Sequence, residues 1–540
     1  MAENRSNDGS PEVSSWSSAY ERLVGGRHDD LDVSELETLA VAAFLHGDDD
    51  RADEAWSRAY ERFLDGRQPG DAARCAFWLG LTLMLRGRMA HASGWLERAH
   101  ETIEHEPPCA ANGLLMIPAV LGALDAGDTD MASELAAEAL EIGRRYGDAD
   151  VAALATLAHG QALIAGGDID AGLAKLDAAM LAVEANSIGP ISSGVVYCAV
   201  ILECMSVFDY ARASEWTSAL DGWCRSQPGL VPFRGQCLVH QSQLLQASGE
   251  WDEATAAVEL AIERLAAPPH PALGFAHYQQ AEMHRIVGSH DAAADSYTRA
   301  IRAGHPPNPG LALLQLQRGA PELAAATIRR ALDDAVLASR RPALLAAAVE
   351  IFRAVGDGAT AATSADELDE LAASSPSAAL QAMARTARGA VKLDGGDPPA
   401  ALGELRAAMT AWRKLRMPYE AAQVGVLVGQ AYAAMDDSSL AAAEFDDAGR
   451  AFAELGAEFD VAATRSIARS IDGEPDSGPL TARELEVLAH AAAGRTSAEI
   501  ATELSISPHT VRRHLENVYA KLGVSGRAAA VAHAYQHGLL

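Results

Sequence analysis

Near the C-terminus, the run from Pro508 to Leu522 puts His509, Arg512, Arg513 and Glu516 outside a stripe of Val511, Leu515, Val518 and Leu522. The stripe positions are spaced i, i+4, i+7 and i+11, which buries one side of a helix. The remaining face carries two guanidiniums close to the helix start. Such planar forks can bond the paired acceptors of a guanine edge or grip phosphates. Other chemistry finds little support. No HExxH, GxSxG or Cys/His nucleophile pattern occurs. The four lysines (Lys175, Lys392, Lys414, Lys521) never follow glycine, so no GxxxxGK[ST] phosphate loop exists. His533 and His537 share a helical face without a third ligand nearby, and acidic turns such as Asp48-Asp49-Asp50 lack calcium-loop spacing and suit helix capping better. No catalytic residue, metal or cofactor is expected.

The elements around the arginines read as four short helices. Leu480-Thr481-x-x-Glu484 is a capping box with Leu480 and Leu485 as its staple, and Thr496-x-x-Glu499 repeats the box after Gly494. Ser507-Pro508 caps the third helix, Ile506 and Val511 staple it, and Gly523 stops it. Helix two (about 497–504) and helix three (about 508–522) are separated only by Ser505-Ile506-Ser507. That is the connection of a helix-turn-helix, whose second helix enters a DNA major groove.

The spaced blocks LTxRExEVL, GxTxxEIAxxLxIS, TVxxHxxxxxxKLGV and RxxAVxxAxxxGL, in this order over residues 480–540, resemble the LuxR/NarL-type DNA-binding domain. The resemblance implies a four-helix domain that binds double-stranded promoter DNA as a homodimer. It places Arg512, Arg513 and Glu516 at base-contacting positions and Thr510 and Lys521 at phosphate-contacting ones. Two positions depart from the pattern: Ser497-Ala498 replaces Asn and a basic residue, and Gly526 stands where a capping Ser or Asn is common.

Upstream, about residues 16–470 repeat one pattern. A helix–helix turn recurs at Gly47, Gly87, Gly127, Gly167, Phe208, Gly249, Gly288, Gly319, Gly356, Gly396 and Asp436. Five and twelve residues after each turn, and seven before it, small residues dominate, which lets helices approach closely. Acids such as Asp50, Asp130 and Asp170 suit the positive start of each second helix. The pattern, with Trp78-Leu79-Gly80 as a close local match, resembles tetratricopeptide repeats with longer loops. The expected fold is all-α: a disordered tail (1–15), a tetratricopeptide-like α-solenoid (16–470), a linker (471–479) and a four-helix LuxR-type helix-turn-helix domain (480–540). It resembles the C-terminal half of large LuxR-type regulators, without their ATPase module.

The charge is divided unevenly. From Pro479 on, six basic residues face five glutamates, leaving −32 on the rest of a chain whose total is −31. An acidic body repels DNA, so binding rests on the local cationic face, doubled by dimerisation. Six cysteines without zinc-ligand spacing suit a reducing compartment, and the longest apolar stretch (113–124) is too short to span a bilayer, so a cytoplasmic protein is expected; the LuxR resemblance implies a bacterial one. The expected function is transcription regulation, with the solenoid sensing or docking a partner; the alternative is a scaffold whose C-terminal domain serves dimerisation only. Within the solenoid, polar and aromatic groove positions gather in copies six and seven. Gln236, Gln243, Tyr278, Glu282 and Arg285 are the candidates there for a protein, peptide or small-molecule effector, against plain solvent exposure as the alternative.

Overall fold

A computed structural model describes residues 16–25, 30–227, 233–266, 270–335, 340–471, 480, 482–504, 508–522, 524 and 526–536. The described residues form twenty-eight α-helices and no strand. After one short helix, Trp16–Leu23, the chain runs through eleven antiparallel pairs, from Val33–His46 with Asp49–Asp65 to Pro418–Ala434 with Ser438–Leu455. A last helix, Glu458–Ile471, covers the eleventh pair.

Each pair turns at a residue with positive φ. All eleven positions expected from the repeat spacing adopt it, between +60° and +94°. Nine are glycine, which enters this region without a Cβ penalty; Phe208 and Asp436 enter it at +60°. The residue five places later is buried in every copy, from Ala52 to Ala441. Seven places before the turn, a glycine abuts the residue nine places after it. A Cβ on Gly160 would come within 2.8 Å of Leu176, on Gly389 within 2.6 Å of Leu405, and on Gly429 within 2.7 Å of Phe445. The acid that caps the second helix sits directly after the turn, and the acids three places on, Asp50, Asp130 and Asp170, lie in that helix's first turn as expected. Asp128, Asp168, Asp397 and Asp437 each accept the backbone N–H three residues ahead at 3.1–3.2 Å.

The solenoid also closes along its own seam, with a regular offset of five pairs. Phe44 of the first pair meets Phe233 at the start of the sixth, ring centroids 6.3 Å apart. The Gly87 turn abuts Pro271, which leads into the seventh. Ser377, capping the tenth pair, donates its hydroxyl to the Phe208 carbonyl of the fifth at 3.0 Å. The Gly249 turn abuts Pro418 and Leu455 of the eleventh, where Trp251 packs on Tyr419 at 5.5 Å. The Gly288 turn abuts Phe459 of the last helix, with His290 on the same ring at 5.0 Å. The inner helices of pairs six and eleven, Arg234–Ser248 and Pro418–Ala434, touch.

The C-terminal domain has its own core. Leu480, Leu488, Val518, Leu522, Ala530 and Ala534 form one cluster, and Val487, Ala491, Ile500, Ala501, Val511 and Leu515 another. Its helices are Ala482–Ala492, Ser497–Glu503, Pro508–Leu522 and Arg527–Gln536.

Candidate nucleic-acid interface

The Thr496 capping box is present: the Thr496 amide donates to Glu499 Oε2 at 2.7 Å, and the Glu499 amide reaches Thr496 Oγ1 at 3.4 Å. It starts the second helix, which packs on the third through Ile500, Ala501, Val511 and Leu515. The stripe Val511, Leu515, Val518, Leu522 lies buried between the other three helices, 0–9% exposed. Burial of that stripe turns the opposite face outward, and Arg512 is exposed on it. The backbone of Thr510, Arg513 and Glu516 lies on the same helix; their side chains fall outside the described residues, as do Thr481, Ile506 and Gly523.

Three other cations have partners inside the domain. Lys521 Nζ donates to Glu484 Oε2 at 2.7 Å, and the Glu484 side chain is only 4% exposed. Lys521 therefore ties the third helix to the first while remaining two-fifths exposed. Arg495 pairs with Glu503. Arg527 donates to the carbonyls of Ala491, at 2.7 Å, and Arg495, closing the end of the first helix. The outward positive charge is thus narrower than the composition of the domain implies. The sequence carries a signal for the Lys521 pair, an apolar-flanked glutamate facing a late helical lysine, but the same residues also fit a cap and a phosphate contact.

The five candidate groove residues lie on the inner helices of pairs six and seven. Gln236 and Gln243 are half-buried, and Gln243 Oε1 lies 3.3 Å from His240 Nδ1. Tyr278 packs between Tyr297 and His305, with centroids 5.8 and 5.2 Å away. Arg285 is 8% exposed and donates to Glu282 at 2.7 Å, while Tyr297 donates to the same carboxylate. Beyond its Glu282 partner, this buried arginine feels the carboxylates of Glu350 in pair nine and Asp460 in the last solenoid helix, while the Tyr419 phenol of pair eleven stays neutral. The structure therefore joins Tyr278, Glu282 and Arg285 in one internal network, with Gln236 and Gln243 one pair away.

Eleven helix pairs ending in a compact helix-turn-helix define a class: an α-solenoid joined to a LuxR-type DNA-binding domain. Residues 478–534 match the family "Bacterial regulatory proteins, luxR family". The domain is similar to the "Probable transcriptional regulatory protein NarL" of Mycobacterium tuberculosis, 50% identical over 66 residues, which are 12% of this chain and 31% of that one. It is also similar to the "Probable transcriptional regulatory protein SgaR" of Hyphomicrobium methylovorum, 58% identical over 53 residues, 10% of this chain and 25% of that one. The chain thus spans less than a third of these relatives. Among solved structures, the Cut9 and Hcn1 hetero-tetramer of the APC/C aligns over 83% of this chain and 93% of that one, at 13% identity and a TM-score of 0.38. Yeast Tom70 aligns over 84% and 93%, at 13% identity and a TM-score of 0.31. Among the described residues, no helix is long and apolar enough to cross a membrane.

Proposed function

We propose that this protein is a sequence-specific, DNA-binding transcriptional regulator of the bacterial cytoplasm, in which the solenoid senses an effector or docks a partner. The observation that carries the reading is the third helix of the C-terminal domain. Its buried stripe fixes which face points outward, and Arg512 is exposed on that face, with Arg513 next to it in sequence. A helix so presented fits a major groove, where an arginine bonds guanine O6 and N7 together. The domain binds as a homodimer, because one short helix on an acidic chain supplies too few phosphate contacts alone. The base contacts fall to Arg512, Arg513 and Glu516 and a phosphate contact to Thr510; Lys521 contributes mainly by holding the helix in place.

Genome-wide mapping of DNA bound by the intact protein and by Arg512→Ala tests this. Discrete promoter-proximal sites that share a two-fold symmetric sequence, and that weaken in the variant, are expected. Absence of enriched sites, with the protein still recovered in assemblies, would replace the regulator by a scaffold.

A further inference from the structure

We propose that the first superhelical turn of the solenoid holds a binding site for a small organic cation of the ammonium class. The site is a cavity of about 310 Å³. The first helices of pairs one to five converge on it, and the opening helix adds Trp16. Its volume lies at the lower end of small-molecule sites, about 300–1,000 Å³.

Two features of its wall select a cation. The first is aromatic: Trp16, Trp56 and Trp78 come together from three helices. Indole is the side chain whose ring attracts a cation most strongly. The Trp56 N–H is buried and has no acceptor in the fold. The second is an excess of negative charge. Arg74 is neutralised by Glu37 at 2.9 Å and Asp71 at 3.3 Å. Asp148 accepts the Val151 amide at 3.0 Å, and Asp150 accepts the Gly189 amide at 2.9 Å. Neither aspartate has a cationic side chain within ion-pair distance among the described residues. Burial holds the Asp150 carboxyl above its usual range, with Asp148 acting in the same direction and the Gly189 amide and the more distant Arg74 acting against it.

Asp148 caps helix Ala149–Ala165 and Asp150 lies in its first turn, where the helix start favours negative charge, but neither role requires a full charge. An uncharged cap would serve at 148, and a hydroxyl or amide would accept the Gly189 N–H. The backbone amides and the helix start offset part of the cost of these half-buried carboxylates, and a cation beside them would offset more. A metal ion fits poorly, since the indoles offer no lone pairs and no group of three ligating side chains occurs among the described residues. An ammonium compound meets both walls: charge toward Asp148 and Asp150, and apolar substituents against the tryptophans. The site gives the input role proposed above a concrete ligand class, although binding itself does not depend on DNA recognition.

Calorimetric titration of the full chain tests the proposal, with tetramethylammonium chloride as the probe at fixed ionic strength. tert-Butanol serves as an uncharged control of similar size and sodium acetate as the anion. Saturable binding of tetramethylammonium with a Kd of about 1 mM or tighter is expected. Asp150→Asn should weaken it about tenfold or more. Asp148→Asn keeps the helix cap and should act in the same direction, so it decides the matter if Asp150→Asn does not fold. No saturable heat, equal binding of tert-butanol, binding of acetate instead, or wild-type affinity in the folded variants would each overturn the cation site. Cation binding in a protein that marks no promoters would sink the regulator reading and leave this one standing.

Discussion

Lys521→Ala separates two roles for one lysine. A phosphate contact would weaken binding to every DNA sequence and leave the domain intact. The observed pair implies something else, because the ammonium sits 2.7 Å from a carboxylate that is 4% exposed. Breaking a fully buried pair from one side costs about 3–5 kcal/mol. Exposed pairs are worth about 0–1 kcal/mol. With Lys521 two-fifths exposed, a loss of about 2 kcal/mol lies between these limits. A domain of this size holds about 3–9 kcal/mol in total. The variant should therefore speed hydrogen exchange of the most protected amides between 511 and 522 by about 30-fold. Mass-spectrometric exchange on the full chain reads this directly. The double variant Glu484→Gln with Lys521→Met should recover much of the protection, as coupled residues do. Unchanged exchange in Lys521→Ala, together with a salt slope reduced by about one, would refute the tether and restore the phosphate contact.

Other outcomes follow from the same geometry. Arg512→Ala should cost about 1–3 kcal/mol at a specific half-site and little on random DNA, measured by competition binding. With six or more phosphate contacts per dimer, affinity should fall by about three decades between low and moderate salt, and a flat titration would count against the groove. Gly160→Ala should lower solenoid stability by about 1–3 kcal/mol in urea titrations, because its Cβ meets Leu176, the Gly172 carbonyl and Lys175 within 3.1 Å. For pH, burial raises Glu420 to about 7 and lowers His240 to about 4. The folded state holds the Glu420 proton more tightly than the unfolded one, so stability declines as pH rises from about 4.5 through 7. It holds the His240 proton less tightly, so stability also declines as pH falls from about 6.5 toward 4. The two windows overlap between about 4.5 and 6.5, where the opposite slopes cancel, so melting temperatures should be nearly flat there and fall on either side. Glu420→Gln should abolish the fall above about 6.5 and uncover the His240 limb as stability rising with pH from about 4 to 6.5.

The repeat was legible because its determinants are local. A turn needing positive φ asks for glycine, and a close crossing asks for a small residue; both recur at fixed spacing. The helix-turn-helix was legible for the same reason, since Thr496, Glu499 and Pro508 mark helix starts from within one turn of chain. What escaped was non-local. Phe208 and Ser377 meet only because small rotations accumulate over five pairs, and no residue type announces that sum. Arg285 likewise reads as a solvent-facing groove charge until pairs nine and eleven close around it. Lys521 satisfies a family position, and only the packing shows its nitrogen turned to Glu484.

The five-pair seam bears on how such a chain can evolve. Ordinary repeat arrays gain and lose units freely, because each unit answers only to its neighbours. Here the eighth pair, Gly310–Gln317 with Pro321–Asp333, is the shortest and looks the most dispensable. Its deletion would nonetheless slide every later unit by one place. Ser377 would pass Phe208, and Pro418 would leave Gly249. A duplication would do the same in the other direction. Copy number in this array is therefore held by a vernier between distant units, and change must come by substitution within the existing pairs.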